Sequence, residues 1–480
     1  MQVYADLNGQ IQPKPLSTAE VAERAGVHRD TLLRWLRGGD VPEPKRDRHG
    51  WRVFTPQEAV AVVSFATAPQ VVDAKGFELH DQIATSASAL RIEKIDWDFR
   101  DAKTSYLTHG IHPYPAKFIP QIPNALIQEF STVGSTVGDI FCGSGTTLVE
   151  GLLLKRNVVG IDANPLACLI SKAKTTPLRD GDKDTLLALA ARAFEHGLEI
   201  AVDDQPSLFS KSAFTSAAPR PADKAIQFWF EPFVVEELAE ILSWCHALPT
   251  ESARNLALVS FSAIIVNVSF QDSDTRYVRR KKGTRPGDAM RRFAQTLIDN
   301  TNATEKFSDV LEPNLTSQVI EGDVLHAPPV PRLDLVVCSP PYPNAYSYHL
   351  YHMTRMVWLG MNQPDFKRRE IGSHRKFSSK GKNGATIETF RAEMTKVFSW
   401  LKTCVHQDGH ACFVVGNSTI RGRTYDNADV LREAADATGW MEVARLSRNM
   451  KDTSKSFNPK IGKIKTERIV VFHNRGVSYL

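Results

Sequence analysis

No stretch of this 480-residue chain approaches membrane-spanning length. The longest mostly apolar run, residues 256–268, has 13 residues and is broken by Ser260, Ser262 and Asn267. The six cysteines, at 142, 168, 245, 338, 404 and 412, form no C-x-x-C pair and no zinc spacing. That argues against a structural metal and favours a reducing compartment. Residues 1–6 hold no basic segment leading into an apolar one, so a cytoplasmic protein is expected, with no membrane partner. Net charge is only +5, which by itself names no partner. There is no internal repeat. With 42% hydrophobic and 24% charged residues, the chain reads as globular, and its length implies two or three domains.

What the chain does have is concentrated in a few places. The apolar run 335–338 ends in Ser339-Pro340-Pro341-Tyr342. Proline lacks a backbone N–H and fixes its own φ, so a strand must stop there and the loop is stiff. Strand-end carbonyls, a hydroxyl and an aromatic ring then form a rigid cup of acceptors with a flat apolar cover. Such a cup suits a planar exocyclic amine. Alone, a proline-rich turn after a strand explains the tetrapeptide equally well.

Upstream, residues 137–147 read as a short strand, a glycine turn and the start of a helix that continues to Leu154. Glycines at such a turn let a ligand approach the backbone. A second strand, 157–161, ends in Asp162, where a carboxylate can take both hydroxyls of a ribose. The turn lacks the third glycine of the dinucleotide fingerprint. A third acid, Asp323, follows the apolar pair Val319-Ile320 just before the strand that ends in Ser339.

Together these residues resemble the S-adenosylmethionine-dependent amino-methyltransferases of DNA. The family's cofactor loop, D-x-F-x-G-x-G, is matched by Asp139, Phe141, Gly143 and Gly145, with Thr146 following. Its catalytic loop, [DNS]-P-P-[YFW], is matched by Ser339, Pro340, Pro341 and Tyr342. A stretch of the form H-x-Y-P-A-K-F-x-P, which wraps the methionine end of the cofactor, stands here as residues 112–120, with His112, Pro115 and Phe118 as its contacts. The resemblance covers roughly residues 101–180 and 318–475. It implies that Asp162 binds the ribose, Asp323 lies near the adenine amine, and the backbone at Gly143 and Gly145 lies near the methionine part.

The implied reaction is methyl transfer to an exocyclic amine of a flipped base, with Ser339 Oγ and the Pro340 carbonyl holding the amine and Tyr342 stacking on the ring. The C5-cytosine route needs a cysteine nucleophile, usually after proline, and no Pro-Cys pair occurs. Serine at 339 leans toward N4-cytosine; N6-adenine members more often carry Asp or Asn there. The cofactor motif precedes the catalytic one, the reverse of many N4-cytosine enzymes. An RNA methyltransferase on the same scaffold and a non-catalytic DNA-binding regulator are the other classes open. The implied partner is double-stranded DNA, with room for a cognate restriction endonuclease.

The expected fold is α/β, a Rossmann-like class I methyltransferase with a mostly parallel sheet. The expected methyltransferase domain is 101–480, carrying a mostly helical insertion at about 180–318. Residues 1–68 read as a separate small domain. Ser17 with Glu20 is a capping-box pattern, a second helix runs from about His28 to Leu36, and residues 50–54 read as a strand or wing before a third helix. This resembles the winged helix–turn–helix of MerR-type regulators, which implies that His28, Arg29, Thr31 and Arg34 face DNA. Residues 69–100 read as a linker. Two basic stretches complete the picture: 276–292 holds eight Lys/Arg and one acid, and 367–382 holds seven and one. The second reads as a mobile loop. Either suits phosphate contact, with Arg279, Arg280, Lys281 and Lys282 as candidates, or is a solvated face. His349 and His352 read as pocket lining or packing, and Phe228, Trp229 and Phe230 as core.

Overall fold

The computed structural model describes residues 3–5, 11–13, 16–25, 27–38, 41–48, 50–67, 88, 91–115, 117–203, 214–344, 346–379, 384–450 and 466–475. The chain divides into two compact units, Met1–Ala84 and Thr85–Leu480.

In the first unit, Ser17 Oγ accepts the Glu20 N–H and the Glu20 carboxylate accepts the Ser17 N–H, so a capping box starts the helix Thr18–Arg24. The helix Arg29–Gly38 follows. A hairpin of Lys45–Arg46 and Arg52–Phe54 precedes the helix Pro56–Thr67, which Thr55 and Glu58 cap in the same way. Val21, Leu32, Leu36, Phe54 and Val62 close a small core. This is a helix–turn–helix with a wing. One expectation fails: Thr31 is 4% exposed and faces that core, so it is not a DNA contact. The helix turns Thr31 inward one residue before Leu32, whereas His28 and Arg29 stay exposed. The side chain of Arg34 lies outside the described residues.

The second unit is built on seven strands: β1 (Thr136–Asp139), β2 (Asn157–Asp162), β3 (Ser317–Glu321), β4 (Leu333–Cys338), β5 (Val405–Gly416), β6 (Met441–Asn449) and β7 (Thr466–His473). Their order is 3-2-1-4-5-7-6. The pairs 3-2, 2-1, 1-4 and 4-5 are parallel; β7 pairs antiparallel with both β5 and β6. The sheet is therefore Rossmann-like and mostly parallel.

β4 shows why its sequence is a continuous apolar run. Leu335 and Val337 pack on one face with Ile122 and Leu126 of helix α1 (Gln121–Phe130). Val336 and Cys338 pack on the other with Phe390, Val397 and Leu401 of an α-helix at Ile387–Cys404. A strand covered on both faces has no polar side to alternate with. Ile92 and Trp97, within the expected linker, also join the first face. Of that linker, residues 69–87 and 89–90 lie outside the described residues.

Two further helices flank the cofactor-loop strands, α2 (Thr146–Leu153) and α3 (Pro165–Thr175). After α3 the chain leaves the sheet and returns only at β3. It builds four long helices, α4 (Asp182–Asp203), α5 (Pro232–His246), α6 (Glu251–Val268) and α7 (Asp288–Val310), plus a hairpin of Gln271–Ser273 and Arg276–Arg279. Glu237, fully buried on α5, accepts the backbone N–H groups of Gly287, Ala289 and Met290 at the start of α7. A carboxylate there satisfies orphan donors and complements the helix dipole. Trp229 and Phe230 are buried as expected, but Phe228 is 54% exposed. No helix among the described residues is long and apolar enough to cross a membrane.

Candidate active site

β1 and β4 are neighbours, yet the connections that follow them leave in opposite directions, toward β2 and toward β5. The carboxyl ends of such strands form a crevice, and ligands of open α/β sheets bind there. A cleft of about 800 Å³, mouth included, lies at this point, lined by the loops after both strands.

The glycine turn forms the floor. Gly143 and Gly145 have φ of +48° and +77°, a region that side chains rarely adopt. A Cβ on Gly145 would also stand 2.9 Å from Ser171 Oγ and 3.2 Å from Ser171 Cα, so the turn lies tight against α3. Gly143 lines the cleft, and Gly145 supports it from behind as the N-cap of α2. Asp139 does not reach the cleft. It is 1% exposed and accepts the Phe141 N–H at 3.1 Å, and burial pushes its carboxyl up to about 7. Its place is to hold the turn. Phe141 and Thr146 line the cleft directly.

Asp162, at the end of β2, lines the cleft and already carries two bonds. Oδ2 accepts the Gly143 N–H at 2.9 Å and Oδ1 the Asn164 N–H at 2.8 Å. Each carboxylate oxygen has a second lone pair, so both can accept a further donor. Burial raises this carboxyl to about 6, against the pull of those N–H groups. Asp323 also lines the cleft; its Oδ1 accepts the Leu325 N–H at 2.9 Å and its Oδ2 lies 3.0 Å from His326 Nδ1.

The stretch 112–120 divides. Tyr114, Lys117 and Phe118 line the cleft, whereas His112 and Pro115 do not. His112 is 1% exposed and its Nε2 lies 2.9 Å from Ser262 Oγ on α6. Burial holds its imidazole well below the ordinary range, so it is neutral. It joins the sheet unit to the helical insertion and is not a cofactor contact.

Ser339 and Pro341 line the cleft, and Pro340 is buried behind them. Ser339 Oγ donates to Val414 O of β5 at 3.0 Å. Tyr342 packs into the core between the sheet and the Ile387–Cys404 helix, and its hydroxyl donates to Glu467 Oε1 at 3.0 Å.

The segment after the catalytic loop holds what sequence reading missed. Of the expected mobile loop 367–382, residues 380–382 lie outside the described residues, and 367–379 are largely helical. Two short helices, Gln363–Arg369 and His374–Ser378, occupy most of it, and their connection lies on the catalytic loop. A Cβ on Gly372 would stand 2.7 Å from Pro341 O and 2.9 Å from Tyr342 O. Phe366, Arg369, Glu370 and Ile371 consequently line the cleft. Glu370 accepts the Tyr348 N–H and pairs with His349 Nδ1 at 2.6 Å, which fixes Tyr348 in the cleft wall. His352 stacks on Tyr114 with ring centroids 5.0 Å apart. Among the described residues no group of three or more His, Cys, Asp or Glu side chains is placed to hold a metal. The signal for Arg369 and Glu370 was the one acid inside a basic run; Phe366 gave none.

The basic hairpin of the insertion separates into two kinds of cation. Arg280 and Lys281 are exposed, with Asp272 at 3.3 Å and Glu231 at 4.0 Å. Arg279 is laid over the Phe270 ring, 4.3 Å from its centroid, and donates to Phe228 O. Lys282 is half-buried and donates to Val266 O, at the end of α6. It caps a helix rather than facing solvent, which corrects its expected place among the phosphate contacts.

Comparison with known proteins finds similarity in both units. Residues 70–173 match the DNA methylase family that groups N6 and N4 enzymes, and residues 16–62 match the MerR helix–turn–helix family of regulatory proteins. Over the first of these spans, about a fifth of its length, the chain is similar to the DNA methylase family. It is 30% identical over 174 residues to the type II methyltransferase M.MvaI of Kocuria varians, which is 36% of each chain. It is 41% identical over 86 residues to M.MjaII of Methanocaldococcus jannaschii, 17% of this chain and 16% of that one. It is 25% identical over 340 residues to M.BsoBI of Geobacillus stearothermophilus, 59% and 61% of the two chains. The match thus spans about a third of the length of M.MvaI.

S-adenosylmethionine is the cofactor that this similarity supports, and the cleft fits it. A carboxylate with spare lone pairs stands at the end of β2, the turn exposes backbone at Gly143, and Phe118, Phe141 and Phe366 offer apolar walls. The buried Ser144 Oγ, which also lines the cleft, has no hydrogen-bond partner among the described residues. A buried hydroxyl of that kind calls for a ligand group or water.

Proposed function

We propose that this protein transfers a methyl group to the exocyclic N4 amine of cytosine in double-stranded DNA. The observation that carries the reading is that Ser339 and Pro341, at the carboxyl end of β4, line the same cleft as Gly143 and Asp162. When bound, S-adenosylmethionine supplies an electrophilic methyl. The amine's lone pair is delocalised into the base, so the loop must make it nucleophilic. Ser339 gives its one hydrogen to Val414 O and keeps its lone pairs for the amine. The Pro340 carbonyl is the second acceptor. With both amine hydrogens held, the nitrogen can pyramidalise, and positioning supplies most of the rate. The base reaches the cleft only by leaving the duplex, at a cost of roughly a few kcal/mol. Tyr342, packed against the core and not lining the cleft as it stands, is the ring proposed to stack on the base.

N6-adenine methylation is the alternative on the same loop; Ser339 in place of Asp or Asn favours cytosine. A restriction endonuclease of the same site specificity is the companion this reading allows. The test is incubation of the protein with labelled cofactor and either duplex DNA or RNA. Label in DNA alone supports the reading, and label in RNA alone contradicts it.

DNA contacts come from His28 and Arg29 of the first unit and from Arg280 and Lys281 of the hairpin. The two kinds of hairpin cation make a prediction. Each phosphate contact contributes about 0.9 to the slope of log affinity against log salt. Arg280→Ala and Lys281→Ala should each lower that slope by about 1 and leave the melting temperature unchanged. Arg279→Ala and Lys282→Ala should lower the melting temperature and change the slope less. Equal slopes for all four variants would show that the hairpin does not meet phosphate.

A further inference from the structure

We propose that Glu467, paired with Arg448, is a positioning residue that sets the direction of the hydrogen bonds in the 339–342 loop, so that Ser339 presents an acceptor to the target amine. The inference rests on the reading of Ser339 as that acceptor. Four polar groups meet behind the loop. Ser339 Oγ is 3.0 Å from Val414 O and 3.4 Å from the Tyr342 hydroxyl. The Tyr342 hydroxyl is 3.0 Å from Glu467 Oε1 and 3.4 Å from Val414 O. Glu467 Oε2 accepts from Arg448 Nη1 at 2.9 Å, and the two side chains are only 8% and 6% exposed.

The arrangement is a counting problem. Ser339 and Tyr342 carry one hydroxyl hydrogen each. A carbonyl and a carboxylate can only accept. Tyr342 can therefore donate to Glu467, to Val414 O or to Ser339 Oγ. Glu467 is the nearest and the only charged acceptor, and charge-assisted bonds are roughly twice as strong as neutral ones. Burial beside Arg448 strengthens the preference, because little solvent competes. Tyr342 thus donates to Glu467. Val414 O is left to Ser339, whose hydrogen is committed there. The lone pairs of Ser339 are then free for the cleft that this residue lines.

Removing the charge at 467 breaks the order. The Tyr342 hydroxyl turns to Val414 O, displacing Ser339, or donates into Ser339 Oγ and occupies a lone pair the amine needs. Either outcome weakens the acceptor without touching Gly143 or Asp162. A purely structural role for Glu467 carries no such dependence on the Tyr342 hydroxyl.

The full-length protein is tested with duplex DNA and S-adenosylmethionine. E467Q should lower kcat about tenfold, the equivalent of one net hydrogen bond, with cofactor and DNA affinities within about twofold of wild type. Y342F alone should lower kcat about threefold. The double variant E467Q/Y342F should recover to the Y342F rate, because the hydroxyl that competes for Ser339 is gone. In an S339A background, E467Q should have no further effect. If the lone Arg448 unfolds the single variant, E467Q/R448M removes both charges and carries the same expected loss and the same rescue. A double variant as slow as E467Q, or slower, overturns the proposal. An S339A protein with the wild-type rate overturns the amine-acceptor reading itself, which separates the two failures.

Discussion

Asp162→Ala is expected to weaken S-adenosylmethionine binding about 100-fold, with DNA affinity within a few-fold of wild type. Two ribose hydroxyls donating to a buried carboxylate contribute roughly 1.5–3 kcal/mol each at most, and the pair is not additive. The variant loses more than these bonds. The N–H groups of Gly143 and Asn164, which now meet Asp162 at 2.9 and 2.8 Å, would stand unpaired at the floor of the cleft. Isothermal calorimetry checks the expectation, and an unchanged cofactor Kd sinks the assignment.

The same carboxyl predicts a pH dependence. Burial raises it to about 6, with the Arg369 guanidinium opposing. Only the ionised form accepts from both hydroxyls on both oxygens. Cofactor affinity should therefore fall as the pH drops through about 6. For folding the sign is opposite. A carboxyl raised in the folded state stabilises the fold below its unfolded value, and that contribution is lost as the pH rises through about 6. Cofactor affinity and intrinsic stability should thus move in opposite directions across this window.

Tyr342→Ala should lower kcat about 100-fold, against about threefold for Tyr342→Phe. Base–aromatic stacking contributes about 1–3 kcal/mol per base, and phenylalanine keeps it. The alanine variant also empties a site packed against the core beneath the Ile387–Cys404 helix, so its melting temperature should fall. Steady-state rates on duplex DNA at saturating cofactor separate the two variants. Equal losses would assign the role of Tyr342 to its hydroxyl rather than its ring.

The parts of this fold that the sequence reveals are those where one local rule acts alone. β4 is legible because both its faces are buried and two prolines end it. The cofactor turn is legible because a chain can reach positive φ there only with glycine. β6 was missed. Glu442, Arg445 and Ser447 interrupt its apolar residues, as on an edge strand, and Arg448 is buried in its pairing with Glu467, so no apolar run marks it. Charge was read least well. Lys282 on a helix end and Lys281 in solvent are the same residue type one position apart. Thr31 and Phe228 fail for a related reason: which side of a helix faces the core is set by partners distant in sequence.

The same limit applies around the catalytic loop. The tetrapeptide shows which groups could accept an amine, but not what orders their hydrogens. Val414, Arg448 and Glu467 lie 72 to 125 residues or so downstream of Tyr342 and meet it only through the order of β5, β7 and β6. The short helices that press Gly372 onto Pro341 likewise carry the sequence of a basic loop, and their fold depends on buried Phe366 and Phe377 finding the sheet.

One measurement bears on the central claim most directly. Duplex DNA treated with the protein and S-adenosylmethionine is hydrolysed to nucleosides, and the methylated product is identified by mass and chromatographic retention. N4-methylcytosine is the predicted product. N6-methyladenine alone would place the same loop on the alternative base, and 5-methylcytosine would contradict the amine mechanism altogether.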